Sequence, residues 1–108
     1  MSVFLVAEVD VTEDSWIPDY AAKVHDIVAR HGGKYLSRSG AIEQLEGKSQ
    51  DATLIALLEF PSADALKAFV NDPEYTPLAK ARQEGSESRF RMIDDTDAAG
   101  TIPYLPAA

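Results

Sequence analysis

The chain has 108 residues, no cysteine and a formal net charge of −8, with 45% hydrophobic and 26% charged residues. This is the size and composition of one globular domain, and the missing thiols exclude disulfides, thiolate metal sites and cysteine nucleophiles. The negative charge, with ten scattered lysines and arginines, argues against nucleic acid and anionic membranes as partners, and no apolar run reaches the ~20 residues of a membrane span.

With no cysteine a cytoplasmic location is the simplest expectation, and the opening segment, MSVFLVAEVD, lacks the basic start and small-residue cleavage site of a leader. Val3 to Asp10 alternates as a strand, with Val3, Leu5, Ala7 and Val9 on one face and Phe4 and Val6 on the other. Polar residues from Thr12 to Ser15 offer N-caps, and Pro18 suits a first helical turn. Ile17, Tyr20, Ala21, Val24, Ile27, Val28 and His31 then form one stripe of an amphipathic helix that Gly32 and Gly33 end.

A second strand is expected at Lys34 to Arg38, continued past Ser39-Gly40 by an extended segment, Ala41 to Leu45, as a ribbon or bulged strand. Ala52 to Phe60 is the strongest strand and is apolar on both faces, with Ile55 and Leu57 opposite Leu54, Leu58 and Phe60. Ser62 caps a helix carrying Leu66, Phe69 and Val70, and Asn71-Asp72-Pro73 interrupts it. Thr76-Pro77 reads as an N-cap and first helical residue of a shorter helix to about Glu84, and Ser88 to Asp94 is the last strand.

This order is that of two split βαβ units, an α+β ferredoxin-like βαββαβ fold with a four-stranded antiparallel sheet and helices on one face. The domain is expected over residues 1–95. Two helices cover only one face of a four-stranded sheet whose central strands are apolar on both, and a second copy of the chain is the simplest cover for the other face. The tail, 96–108, carries Ile102, Tyr104 and Leu105 and is expected to lie on the partner subunit.

The segments GGKYLSRSG from Gly32, LEG from Leu45, EFPS from Glu59, DPEY from Asp72, and Arg82 occur in an order and spacing that resemble the domain of unknown function 1330 family, within the dimeric α+β barrel superfamily. Ser39 stands where the pattern usually has a glycine. The resemblance covers about Val3 to Asp94. It implies a homodimer with sheets face to face and a cavity between sheet and helices; cavities of this superfamily host monooxygenases, isomerases and decyclising enzymes, whereas the family itself has no established activity.

Arg82 falls four residues after Leu78 and so faces inward, where a guanidinium needs an acceptor. That acceptor is either a ligand anion or an internal carboxylate such as Glu59 or Glu46, the ion pair being the commoner arrangement. Glu59, at the end of the Ile55–Leu57 row, is either a candidate general base or, the commoner arrangement, a salt-bridge partner across the sheet or the dimer, and Arg38 carries the same ambiguity. His25, at the edge of the helical stripe, is a second candidate base; His31 is simply a helix-end residue, and six residues separate the two, so they do not form a metal pair. Tyr75, Trp16 and Tyr20 are candidate ligand contacts as well as packing residues. No nucleotide, metal or nucleophile-elbow motif occurs, so no cofactor is expected. The sequence therefore supports a small-molecule cavity in a homodimer, either a cofactor-free enzyme acting on a carbonyl or enol compound or a binding, regulatory or structural module without catalysis.

Overall fold

The computed structural model describes residues 2–100. Seven elements follow one another: β1 (Val3–Val11), α1 (Ile17–Arg30), β2 (Lys34–Ser39), β3 (Leu54–Phe60), α2 (Ala63–Val70), α3 (Thr76–Glu84) and β4 (Ser86–Asp94). The strands form one antiparallel sheet in the order β2-β3-β1-β4, so the two most apolar strands are central, as the ferredoxin-like topology requires. The expected tail contact falls largely on residues 101–108, outside the described residues.

Alternation decides what each strand gives to each side. Val3, Leu5, Ala7 and Val9 of β1 and Ala56, Leu58 and Phe60 of β3 are buried beneath the helices, where Val24, Ile27, Val28, Leu66, Phe69, Tyr75 and Leu78 complete the core. The intervening residues face the open side. There Phe4 lies between Glu59 and Ile93, Val6 between Leu57 and Arg91, and Glu8 between Ile55 and Arg89. Glu59 is consequently on the face away from the helices, paired with Lys34 at 3.3 Å, and Glu8 pairs with Arg89 at 3.4 Å and Arg91 at 3.7 Å.

Helix ends follow local chemistry. Gly32, at φ 78°, takes the left-handed conformation past the end of α1, while the Gly32 and Gly33 amides donate to the carbonyls of Ala29 and Val28. Ser62 caps α2 by accepting from the Ala65 amide at 3.0 Å. Between α2 and α3, Asp72 accepts from the Glu74 amide at 2.8 Å and contacts His31 Nε2 at 2.7 Å, which ties the break to the end of α1. The His31 contact, then the Glu74 amide, holds the Asp72 carboxyl below its ordinary range.

Four local expectations need correction. The Ala41 to Leu45 extension is not a strand: β2 stops at Ser39, and Leu45 is 86% exposed, so its apolar residues have no partner strand to hold them extended. The N-cap of α1 is Trp16, without a side-chain cap; Glu13 instead accepts from the Ser15 amide and hydroxyl, both at 2.7 Å. Helix α3 starts at Thr76 with Tyr75 as N-cap, and β4 begins at Ser86 directly after Gly85.

Candidate functional site

A cavity of about 360 Å³ lies between α1 and the sheet. Its floor follows from register. Arg38 pairs with Ala56, Ala56 with Ala7, and Ala7 with Phe90, so one row crosses all four strands with two alanines at its centre. Their small side chains leave the space that larger residues would fill. Helix α1 supplies the roof through Trp16, Tyr20, Val24 and His25.

Arg38 reaches this side because of a bulge. Residues three apart on a regular strand point to opposite faces, yet Tyr35 opposes Leu58 and Arg38 opposes Ala56, both on the helix side; the register shift between Tyr35 and Ser37 absorbs the extra residue. The Arg38 guanidinium then lies 4.3 Å from the Tyr35 ring centre, and its Nη1 donates to His25 Nε2 at 2.7 Å. The other ring nitrogen, Nδ1, lies 3.1 Å from the Ala21 carbonyl and serves as the donor to it. This pairing assigns His25 the neutral tautomer, with its basic nitrogen covered by Arg38.

At the other edge of the sheet, α3 delivers Arg82. Its side chain is 5% exposed, its guanidinium lies 4.0 Å from the Phe90 ring centre, and its Nε is buried without a hydrogen-bond partner. Among the described residues Arg82 has no carboxylate partner, and no aspartate or glutamate lines the cavity. The anticipated ion pair with Glu59 is ruled out by alternation, which sets the two on opposite faces of the sheet. Arg82 also borders a larger groove of about 970 Å³ beside β4, with Lys80, Ser86 and Ser88.

Between the two arginines the walls are aromatic. Trp16 meets Tyr20 edge-on at 5.3 Å, Tyr20 meets Tyr75 at 6.0 Å, and Tyr75 lies 4.3 Å from Phe69. The Tyr20 and Tyr75 hydroxyls share a hydrogen bond of 2.8 Å. Burial, followed by the neighbouring Tyr75, pushes the Tyr20 phenol well above the ordinary tyrosine range, and burial raises Tyr35 too. Tyr20 is therefore a hydrogen-bond donor at neutral pH and not a base.

That shift has a signed consequence for stability. Above the unfolded tyrosine pKa of about 10, the unfolded chain loses a proton that folded Tyr20 retains, so its stabilising contribution is full below that pH and declines as pH rises. Urea unfolding between pH 8 and 11 is expected to show this decline, shallower in Tyr20→Phe; an identical alkaline slope in the variant would contradict the assignment.

Trp16, Tyr20, His25, Arg38, Tyr75 and Arg82 thus line one cavity, and Glu59 does not. Tyr35 and Phe90 join them although sequence reasoning missed both. The available signal for Phe90 was its place opposite Arg89 and Arg91 in the strand alternation. Among the described residues no cluster of histidine, aspartate and glutamate is arranged to hold a metal ion, and no helix is long and apolar enough to cross a membrane.

A four-stranded antiparallel sheet covered on one side by helices defines a ferredoxin-like α+β protein, the architecture shared with monooxygenase-like neighbours. The chain belongs to the family described as Domain of unknown function (DUF1330), whose pattern spans residues 2–96. RPA0582, a protein of unknown function from Rhodopseudomonas palustris, has a similar structure, with a TM-score of 0.75 and 18% identity over 89% of this chain and 83% of that one. SnoaB, a cofactor-independent oxygenase from Streptomyces nogalater, gives 0.62 and 18% over 89% and 94%. An antibiotic biosynthesis monooxygenase gives 0.58 and 13% over 90% and 100%. At these identities the likeness is one of fold. No curated protein matches the sequence.

Proposed function

We propose that the cavity beneath α1 binds a small organic anion, in a homodimer joined through the open sheet face. The observation that carries the reading is Arg82, a guanidinium almost wholly removed from water with, among the described residues, no carboxylate beside it. An unpaired buried charge is costly unless a counter-charge arrives, and Arg82 lines the ligand space from which one can come. The Tyr20–Tyr75 hydroxyl pair adds a proton donor suited to a carbonyl or enolate oxygen.

The sole tryptophan, Trp16, lines the cavity and serves as the reporter. Its fluorescence is expected to respond saturably to 2-naphthoate and at least tenfold more weakly to neutral 2-naphthylmethanol. Equal responses, or none to the anion, would overturn the reading.

Catalysis in this cavity would be cofactor-free chemistry on a carbonyl or enol compound; SnoaB, which shares the fold, is a cofactor-independent oxygenase. His25 is then the base and an arginine stabilises the developing negative charge. The alternative, binding without turnover, draws support from the Arg38 hydrogen bond that covers the basic nitrogen of His25.

The dimer rests on the open face, where Phe4, Val6, Ile55, Leu57 and Ile93 form an apolar centre between the Lys34–Glu59 and Glu8–Arg89 pairs. A stable contact of this kind buries more than ~2,000 Å² in total. Sedimentation at micromolar concentration is expected to give twice the 11.7 kDa chain mass, and Leu57→Asp to give monomers. A wild-type species of single-chain mass would refute the dimer.

A further inference from the structure

Resting on the anion reading above, we propose that the natural ligand is a dianion: a flat apolar body with an acidic group near each end, one held by Arg82 and the other by Arg38. The chain has five arginines. Arg30, Arg89 and Arg91 each meet a carboxylate of the protein. Among the described residues Arg38 and Arg82 do not, and they are the two that line the cavity. In a chain with 18 acidic residues, a cavity bordered by two arginines and no carboxylate is a selective arrangement.

The sheet register separates these cations. Arg38 and Phe90 are the outer members of the row through Ala56 and Ala7, three strand spacings apart, or about 14 Å between backbones, and Arg82 sits over Phe90. The alanine floor and the aromatic walls between them suit an unsaturated or ring-bearing body. A monoanion neutralises only one pole.

Arg38 is also prepared for a ligand. Stacking on Tyr35 and the bond to His25 fix its plane, yet that bond uses one of the five N–H donors of a guanidinium, and the others remain for a carboxylate. Arg38 is exposed at the cavity mouth whereas Arg82 is buried, so the inner contact supplies most of the affinity and the outer one the preference for a second charge.

Two matched pairs of probes test this by calorimetry at low salt: naphthalene-2,6-dicarboxylate against 2-naphthoate, and octanedioate against octanoate. In at least one pair the diacid is expected to bind about tenfold more tightly, the size of one added charge-assisted contact. Arg38→Gln should abolish that preference, whereas Arg82→Met should weaken both acids. Arg38→Gln changes an exposed side chain, and a thermal melt checks that it folds. If the wild type binds diacid and monoacid equally, or Arg38→Gln keeps the preference, the dianion proposal fails while the anion site stands on monoacid binding lost in Arg82→Met. If no acid of either pair binds, both readings fall.

Discussion

Arg82→Met is expected to weaken 2-naphthoate binding about a hundredfold while leaving the protein as stable as before or raising its melting temperature by a few degrees. A buried charge-assisted contact contributes roughly 1.5–3 kcal/mol, about 10- to 150-fold in affinity. Stability moves the other way because the guanidinium is buried without a carboxylate partner, and an unbranched apolar chain can follow its path over Phe90 without the cost of dehydrating a charge. A gain of about 1 kcal/mol corresponds to roughly 4 °C or more in a domain of this size. Function held at some expense of stability is a common arrangement in binding sites. Glu59→Leu should add to Arg82→Met without coupling, since the two residues lie on opposite faces of the sheet. A loss of 3 kcal/mol or more in Arg82→Met, rescued by Glu59→Leu, would assign Arg82 to structure instead.

The largest loss of stability from a small change is expected at Gly85, where alanine should cost about 3 kcal/mol or more. Its backbone is not left-handed, with φ −102°, so conformational freedom is not the issue. Space is. A Cβ there would collide with the Trp16 ring and come within 2.8 Å of the Glu13 carbonyl oxygen, which belongs to backbone and cannot swing aside. The Gly85 carbonyl also accepts from the Thr12 amide at 2.9 Å, the Glu13 amide at 3.0 Å and Trp16 Nε1 at 3.2 Å, so displacement would strain the turn into α1 and the cavity roof together. Trp16→Ala in the same chain should recover only part of the loss, because the Glu13 contact persists. Full rescue, or a Gly85→Ala melt within 2 °C of wild type, would show that the turn can yield.

Most of the fold was legible because it rests on patterns of period two and 3.6. The alternation of Val3, Leu5, Ala7 and Val9, the double-sided apolarity of Ile55 to Phe60 and the stripe from Ile17 to Val28 each specify an element and its buried side. The site was only half legible. Spacing from Leu78 turned Arg82 inward, but no local pattern reveals that an inward charge lacks a partner, since partners come from other strands. Glu59 misled for a related reason: with both faces of β3 apolar, its own row did not show which face the helices cover. Arg38 depended on a bulge with no glycine or proline to announce it, and the Arg38–Ala56–Ala7–Phe90 row exists only once three strand registers are fixed. Leu45 shows the converse, an apolar residue without a tertiary partner.

The absence of carboxylates from the cavity has a kinetic side. On the dianion proposal, a ligand would first approach a molecule of net charge −8 and then settle among cations, so the long-range and short-range fields would act on it with opposite sign. Added salt screens the distant repulsion and quickens arrival; it also loosens the grip of exposed Arg38 and quickens departure, while the buried contact to Arg82 is screened far less. Ionic strength would thus govern how fast the cavity exchanges its occupant more than how full it stands.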